Sequence, residues 1–229
     1  MRKALLISIL LFLAIAVVYV WYRNDYTAAY IFPKQVTSKP LPVVFVFPAM
    51  QGDAATITQE MIGEDAIVVR FTQPNSTAPT FSATLQKAEH QIETELAKLR
   101  EHYNIDTTKI VCCGFSLGGD VVFALALRHV VPITHVLIMG SRCTYRLPKV
   151  QQTVKQTRFA FLIGENDERM QQHRDAINYL TTNNCQVSKE KVPGIAHQIP
   201  NKEYIRKAFD SLLEHDTALV VVPTSISKP

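Results

Sequence analysis

The residues best placed to do chemistry stand mid-chain, in Gly114-Phe115-Ser116-Leu117-Gly118-Gly119. A serine hydroxyl is a weak nucleophile at neutral pH. Attack by Ser116 would need a base to take its proton and N–H donors to hold the negative charge formed on the substrate. The neighbours suit that use. Lys109-Ile110-Val111-Cys112-Cys113 before it reads as a strand, and Asp120 to Leu127 after it is apolar enough for a buried helix. Strand, G-x-S-x-G, helix is the context of a nucleophile elbow, in which a strained turn lifts the hydroxyl clear of the sheet. Glycines two before and two after the serine let neighbouring backbone pass close by. The bland alternative is an ordinary helix N-cap at Ser116. A dinucleotide loop does not fit, because Ser116 stands where G-x-G-x-x-G needs glycine.

The elements that would carry such a serine alternate along the chain. Leu41 to Phe47, Ala66 to Phe71, 109–113, His135 to Met139, Arg158 to Ile163 and Gln186 to Val192 read as strands, several of them continuous apolar runs. Between them, Thr56 to Ile62 reads as a short helix. Apolar residues at Leu85, Ala88, Ile92, Leu96, Leu99 and Tyr103 recur in steps of three and four, a helical stripe. Glu168 to Thr181 and Tyr204 to Leu213 read as further helices. Short buried strands separated by helices predict an α/β fold with a mostly parallel sheet covered on both faces.

From Leu41 to His215 the chain resembles the α/β-hydrolases, through the elbow at Ser116 and the order of the strands and loops after it. In that family the nucleophile, acid and histidine come in that order along the chain. Strand 158–163 ends in Gly164-Glu165-Asn166-Asp167, and strand 186–192 ends in Pro193-Gly194-Ile195-Ala196-His197. Both loops fall at carboxyl ends of parallel strands, the edge where such sheets place their sites. The resemblance therefore implies a triad of Ser116, Asp167 as the orienting acid and His197 as general base. Glu165 competes with Asp167, and Asp167 has a possible helix-cap role. Of the seven histidines, His90, His102, His173 and His215 lie in or beside helices, and His129 and His135 flank a strand start at the opposite edge. The oxyanion would be held by the backbone N–H of Leu117 and a second donor from the loop Phe47 to Asp53, with Met50 first and Ala49 second. Related hydrolases usually carry His-Gly in that loop where this chain has Pro48-Ala49. Phe115 and Met170 are the expected pocket residues, with ordinary core packing as the alternative. Asp120 reads as a first-turn helix charge.

The short span Gly140 to Thr157 leaves no room for a helical lid. The spacing resembles small dienelactone-hydrolase-like and carboxylesterase/thioesterase-like serine hydrolases without a cap domain. The implied activity is hydrolysis of exposed esters or thioesters of modest selectivity, on a small-molecule or lipid-derived substrate. A serine peptidase on the same triad, or an inactive binding protein of the same shape, are the alternatives. No cofactor is expected.

Residues 1–23 read as an N-terminal anchor. Arg2 and Lys3 precede an uncharged run, Ala4 to Tyr22. As a helix it would be roughly 28 Å long, near the ~30 Å thickness of a hydrocarbon core. Trp21 and Tyr22 suit the interface, and the positive-inside bias predicts a membrane-anchored protein with the remaining chain on the extracytoplasmic side. A cleaved signal peptide, giving a secreted or periplasmic protein, is the alternative. Residues 24–40 then form a tether with an edge strand near Ala29 to Phe32, 41–215 the catalytic domain, and 216–229 a tail of unassigned role.

A net charge of +4, from 24 Lys and Arg against 20 Asp and Glu, is spread thinly and gives no sign of nucleic-acid binding. The one basic cluster, Lys189, Lys191, Lys202, Arg206 and Lys207, reads as a solvated face, with anionic lipid headgroups the functional alternative. Cys112 and Cys113 should face opposite sides of their strand, and the four cysteines offer no good pairing and no zinc-like spacing.

Overall fold

The apolar runs pair as a parallel sheet because a strand buried on both faces can satisfy its backbone only through its neighbours. The computed structural model describes residues 7–13, 15, 26–34, 38–49, 57–63, 65–72 and 80–214. Its elements are β1 (Thr27–Ile31), β2 (Leu41–Phe47), α1 (Gln59–Ile62), β3 (Ile67–Thr72), α2 (Phe81–His102), β4 (Ile105–Phe115), α3 (Leu117–Arg128), β5 (His135–Met139), β6 (Arg158–Gly164), α4 (Met170–Thr182), β7 (Gln186–Val192) and α5 (Lys202–Glu214). Seven strands form one sheet in the order β1-β3-β2-β4-β5-β6-β7. β1 runs antiparallel on β3, and every other pairing is parallel.

Alternation along each strand splits the core in two. Phe45 and Cys112 belong to the cluster that also holds Leu85 and Ile92 of α2, Phe123 of α3 and Leu180 of α4. Val44, Val46 and Cys113 join the opposite cluster, with Ile62 of α1 and Ile205 and Phe209 of α5. Adjacent cysteines thus point to opposite faces, as a period of two requires. All four cysteines are free and buried, and burial raises the pKa of each thiol, so none is a poised nucleophile.

Two elements begin four residues earlier than the sequence reading, for identifiable reasons. β4 begins at Ile105, where its polar start extends beside Leu41. α2 begins at Phe81 because the Thr80 side chain accepts the Ala83 N–H, a cap that needs no apolar signal. The edge strand expected near Ala29 to Phe32 is present as β1, at the edge of the sheet. β1 lies within the stretch read as a tether, and Tyr26 packs edge-on against Phe47 at 5.6 Å between ring centroids.

The predicted anchor falls mostly outside the described residues, as does the tail from 216. Residues 7–13 are helical, and their apolar side chains are exposed. Among the described residues no helix is long and apolar enough to cross a membrane. In the basic cluster, Lys191 pairs with Glu165, Lys207 with Glu190 and Arg206 with Asp210. These three pairs offset part of the cluster's charge.

Candidate active site

Ser116 ends β4 and precedes the first turn of α3, with φ 55° and ψ −118°. A non-glycine residue in such a region costs about 1–3 kcal/mol, so the surroundings must hold it there. They do so on both sides of the turn. The Ser116 N–H donates to Met139 O of β5 at 3.0 Å, and its carbonyl accepts the Asp120 N–H at 3.1 Å. A Cβ at Gly114 would sit 2.3 Å from the Gly118 carbonyl carbon, and one at Gly118 would sit 2.4 Å from Phe47 O. The first turn of α3 is therefore wedged against the end of β2, and only glycine permits either approach. Ser116 makes no side-chain cap bond to its helix. Its hydroxyl turns elsewhere.

That hydroxyl meets side chains from the two loops singled out by sequence. Ser116 Oγ lies 3.2 Å from His197 Nε2, and His197 Nδ1 lies 2.9 Å from Asp167 Oδ2. A proton on Nδ1 donated to the carboxylate leaves the Nε2 lone pair facing the serine. The Asp167 side chain is 1% exposed and that of His197 28%. The acid is thus sealed in, while the imidazole and serine stay open to solvent. Asp167 Oδ1 accepts the Arg169 N–H at 2.9 Å, a local turn ahead of α4 rather than a cap, since Arg169 itself stands at the N-cap position. Glu165 is exposed and pairs with Lys191 instead. His197 is seated by β7 and its loop. The Asn166 N–H donates to Ile195 O, tying the two loops together, and a Cβ at Gly164 would strike Ala196 O at 2.4 Å.

The other predicted residues divide. Leu117 follows the serine in the first turn of α3, where helix N–H groups are free of intrahelical partners. Met50 lies outside the described residues. Ala49 is not among the described non-glycine residues with positive φ, which are Ser116, His129, Cys143 and Asn184, so Pro48-Ala49 turns without that strain. Phe115 stacks on the His197 ring at 4.7 Å and 23°, bracing the imidazole. Met170 lines a cavity of about 360 Å³ between α4 and β6–β7, with Phe161, Ile163 and His173. None of Ser116, Asp167 and His197 lines it. Asp120 accepts the Cys143 N–H at 2.7 Å and anchors the loop after β5; burial raises its pKa against that bond. Between β5 and β6 residues 140–157 hold only a 3₁₀ turn, Val154–Gln156, and no cap.

Three site residues were not legible from spacing. Gly140, at φ +49°, lies beneath the cluster: a Cβ there would meet Phe115 Cε2 at 2.8 Å and Asp167 Oδ2 at 3.1 Å. His173, read as a helix-face residue, is buried beneath Phe161 and accepts the Ser141 N–H at 2.8 Å. Burial drives its pKa down to about 4. Arg169 sends its guanidinium back over the serine, with Nη1 2.8 Å from Ser116 Oγ and 2.5 Å from His197 Nε2. Its only sequence signal is a position two residues past the acid.

Residues 25–213 match the family model described as phospholipase/carboxylesterase. Among solved structures, the chain is similar to a Bacillus cereus carboxylesterase, at 15% identity and TM-score 0.67, over 85% of this chain and 97% of that one. It is also similar to Arabidopsis thaliana SOBER1, at 13% identity and TM-score 0.60, over 75% and 99%. A Staphylococcus aureus S-formylglutathione hydrolase aligns at 14% identity and TM-score 0.59, over 81% and 90%. At these identities the likeness carries the fold. No curated protein matches the chain in sequence.

Proposed function

The chain belongs to the phospholipase/carboxylesterase family of α/β-hydrolases, and we propose that it cleaves carboxylic esters or thioesters through an acyl-enzyme on Ser116. The observation that carries this reading is the chain of contacts from Ser116 Oγ to His197 Nε2 and from His197 Nδ1 to Asp167, on a strained turn at the carboxyl edge of the sheet. As Ser116 Oγ attacks the substrate carbonyl carbon, its proton passes to His197 Nε2. Asp167 holds the ring tautomer and stabilises the imidazolium. The oxyanion is held by the Leu117 N–H and a second donor from the loop after β2, Met50 by the sequence reading. Each such donor contributes about 2.7–4 kcal/mol to the transition state. Collapse of the tetrahedral adduct expels the alkoxide or thiolate, which takes the proton from His197. Water then repeats the steps in reverse roles and frees the acid.

The substrate supplies most of the water exclusion, because no cap among the described residues covers an imidazole that is already 28% exposed. Short and medium acyl chains should therefore react at similar rates. Hydrolysis of 4-nitrophenyl esters from acetate to palmitate tests this: the reading expects turnover that Ser116→Ala abolishes, and turnover persisting in that variant contradicts it.

The catalytic domain is held at a membrane, on its extracytoplasmic side, by residues 1–23. The uncharged run Ala4 to Tyr22 and the exposed apolar side chains of residues 7–13 support this placement. Alkaline carbonate extraction tests it. Full release of the intact protein would count against an anchor.

A further inference from the structure

Arg169 carries a charge that the triad chemistry does not use. Its Nη1 lies within hydrogen-bond reach of Ser116 Oγ at 2.8 Å, Gly140 O at 3.0 Å and His197 Nε2 at 2.5 Å. Two hydrogens on Nη1 thus face three acceptors, none of them a carboxylate. Nε is buried with no partner, and no carboxylate pairs with the guanidinium among the described residues. The neighbouring carboxylates are committed: Asp167 to His197 and the Arg169 main chain, Asp120 to the Cys143 N–H. Asp120 feels this charge through space, but with no carboxylate hydrogen-bonded to it among the described residues the half-buried guanidinium is incompletely compensated. It is held beside the atom that attacks the substrate.

Resting on the proposed esterase reading, we propose that Arg169 is a specificity residue that selects esters or thioesters bearing a carboxylate a few bonds from the scissile carbonyl. A planar guanidinium fork matches a carboxylate in two parallel hydrogen bonds. One fork with a single charge suits a monoanion better than a phosphate dianion. The same contact has a second consequence. While Nη1 donates to His197 Nε2, it occupies the lone pair that must receive the serine proton. A substrate carboxylate draws the guanidinium onto itself and returns that lone pair to Ser116. The anion then serves both for binding and for releasing the base. A neutral ester must compete with Arg169 for it.

The test compares mono-4-nitrophenyl glutarate with 4-nitrophenyl 5-methylhexanoate, in which an isopropyl group replaces the carboxylate, and with a phosphonate-tipped ester of equal length. Wild-type kcat/KM should favour the carboxylate by about 10- to 100-fold, the range that a charge-assisted hydrogen bond supplies. Arg169→Gln should lose that preference in opposite directions: the anionic ester slows while the neutral one speeds up. Arg169→Lys, with charge but no fork, should keep part of the preference. An equal fall on both esters in Arg169→Gln overturns the inference, as does a wild-type preference for the neutral or the phosphonate ester. The wild-type comparison decides the matter even if a variant fails to fold. Turnover of both esters without preference sinks the inference alone. Absence of turnover together with absence of fluorophosphonate labelling sinks the esterase reading and the inference with it.

Discussion

Replacing Gly140 by alanine should damage the reaction more than the fold, although Gly140 has no side chain to contribute. The residue sits at φ +49°, where an L-residue costs about 1–2 kcal/mol. For a domain of this size that lowers Tm by roughly 2–8 °C. The new methyl would stand 2.8 Å from Phe115 Cε2, 3.1 Å from Asp167 Oδ2 and 3.4 Å from His197 Nδ1. To restore van der Waals contact the Phe115 ring must retreat by about 1 Å. Since that ring stacks on His197, the imidazole shifts with it or loses its brace. A displacement of that size at a reacting group costs on the order of 10²-fold in rate. We therefore expect Gly140→Ala to fold, to melt a few degrees lower, and to lose about 10²-fold in kcat on 4-nitrophenyl butyrate, with KM little changed. Thermal melts and initial rates on one preparation measure both. A variant that melts lower yet keeps wild-type kcat would refute the reasoning.

The two acids of the 164–167 loop should separate cleanly. Asp167→Asn leaves the shape intact but removes the group that orients His197, and should cost about 10⁴-fold in kcat; a loss below tenfold contradicts that role. Glu165→Gln breaks only the exposed pair with Lys191 and should leave ester turnover unchanged. His173 predicts an acid sensitivity. With its folded pKa near 4 against an unfolded value near 6.5, the unfolded chain binds the extra proton between those values. Stability from this site is complete above about pH 6.5 and is lost as pH falls through about 4, on the order of 3 kcal/mol in all. Urea midpoints from pH 7 to 4 should fall more steeply for the wild type than for His173→Gln, and parallel curves would exclude the site.

The parts of this molecule that were legible share a property: their signal is local. β5 and β7 appear at the sequence-read boundaries, since each is bounded by turn residues. The elbow announces itself within six residues. Chain order, together with family resemblance, brought Asp167 and His197 to one edge because parallel strands all end there. The unread residues owe their roles to distant neighbours. His173 falls on a helix stripe like any other, and its burial comes from Phe161 across on β6. Gly140 is one residue past a strand, and its constraint comes from Phe115, Asp167 and His197, on three other segments. Arg169 has no sequence signal beyond its place two residues past Asp167, and only the return of its side chain over Ser116 reveals it. Met170, the first residue of α4, lines the cavity against β6–β7, whose lining includes none of Ser116, Asp167 and His197.

The most direct measurement is covalent labelling by a fluorophosphonate, read as intact mass and mapped by peptide sequencing. The account predicts a single adduct on Ser116, absent in Ser116→Ala and slowed by orders of magnitude in His197→Ala. No adduct on the wild type, or labelling that persists when residue 116 is alanine, would contradict it.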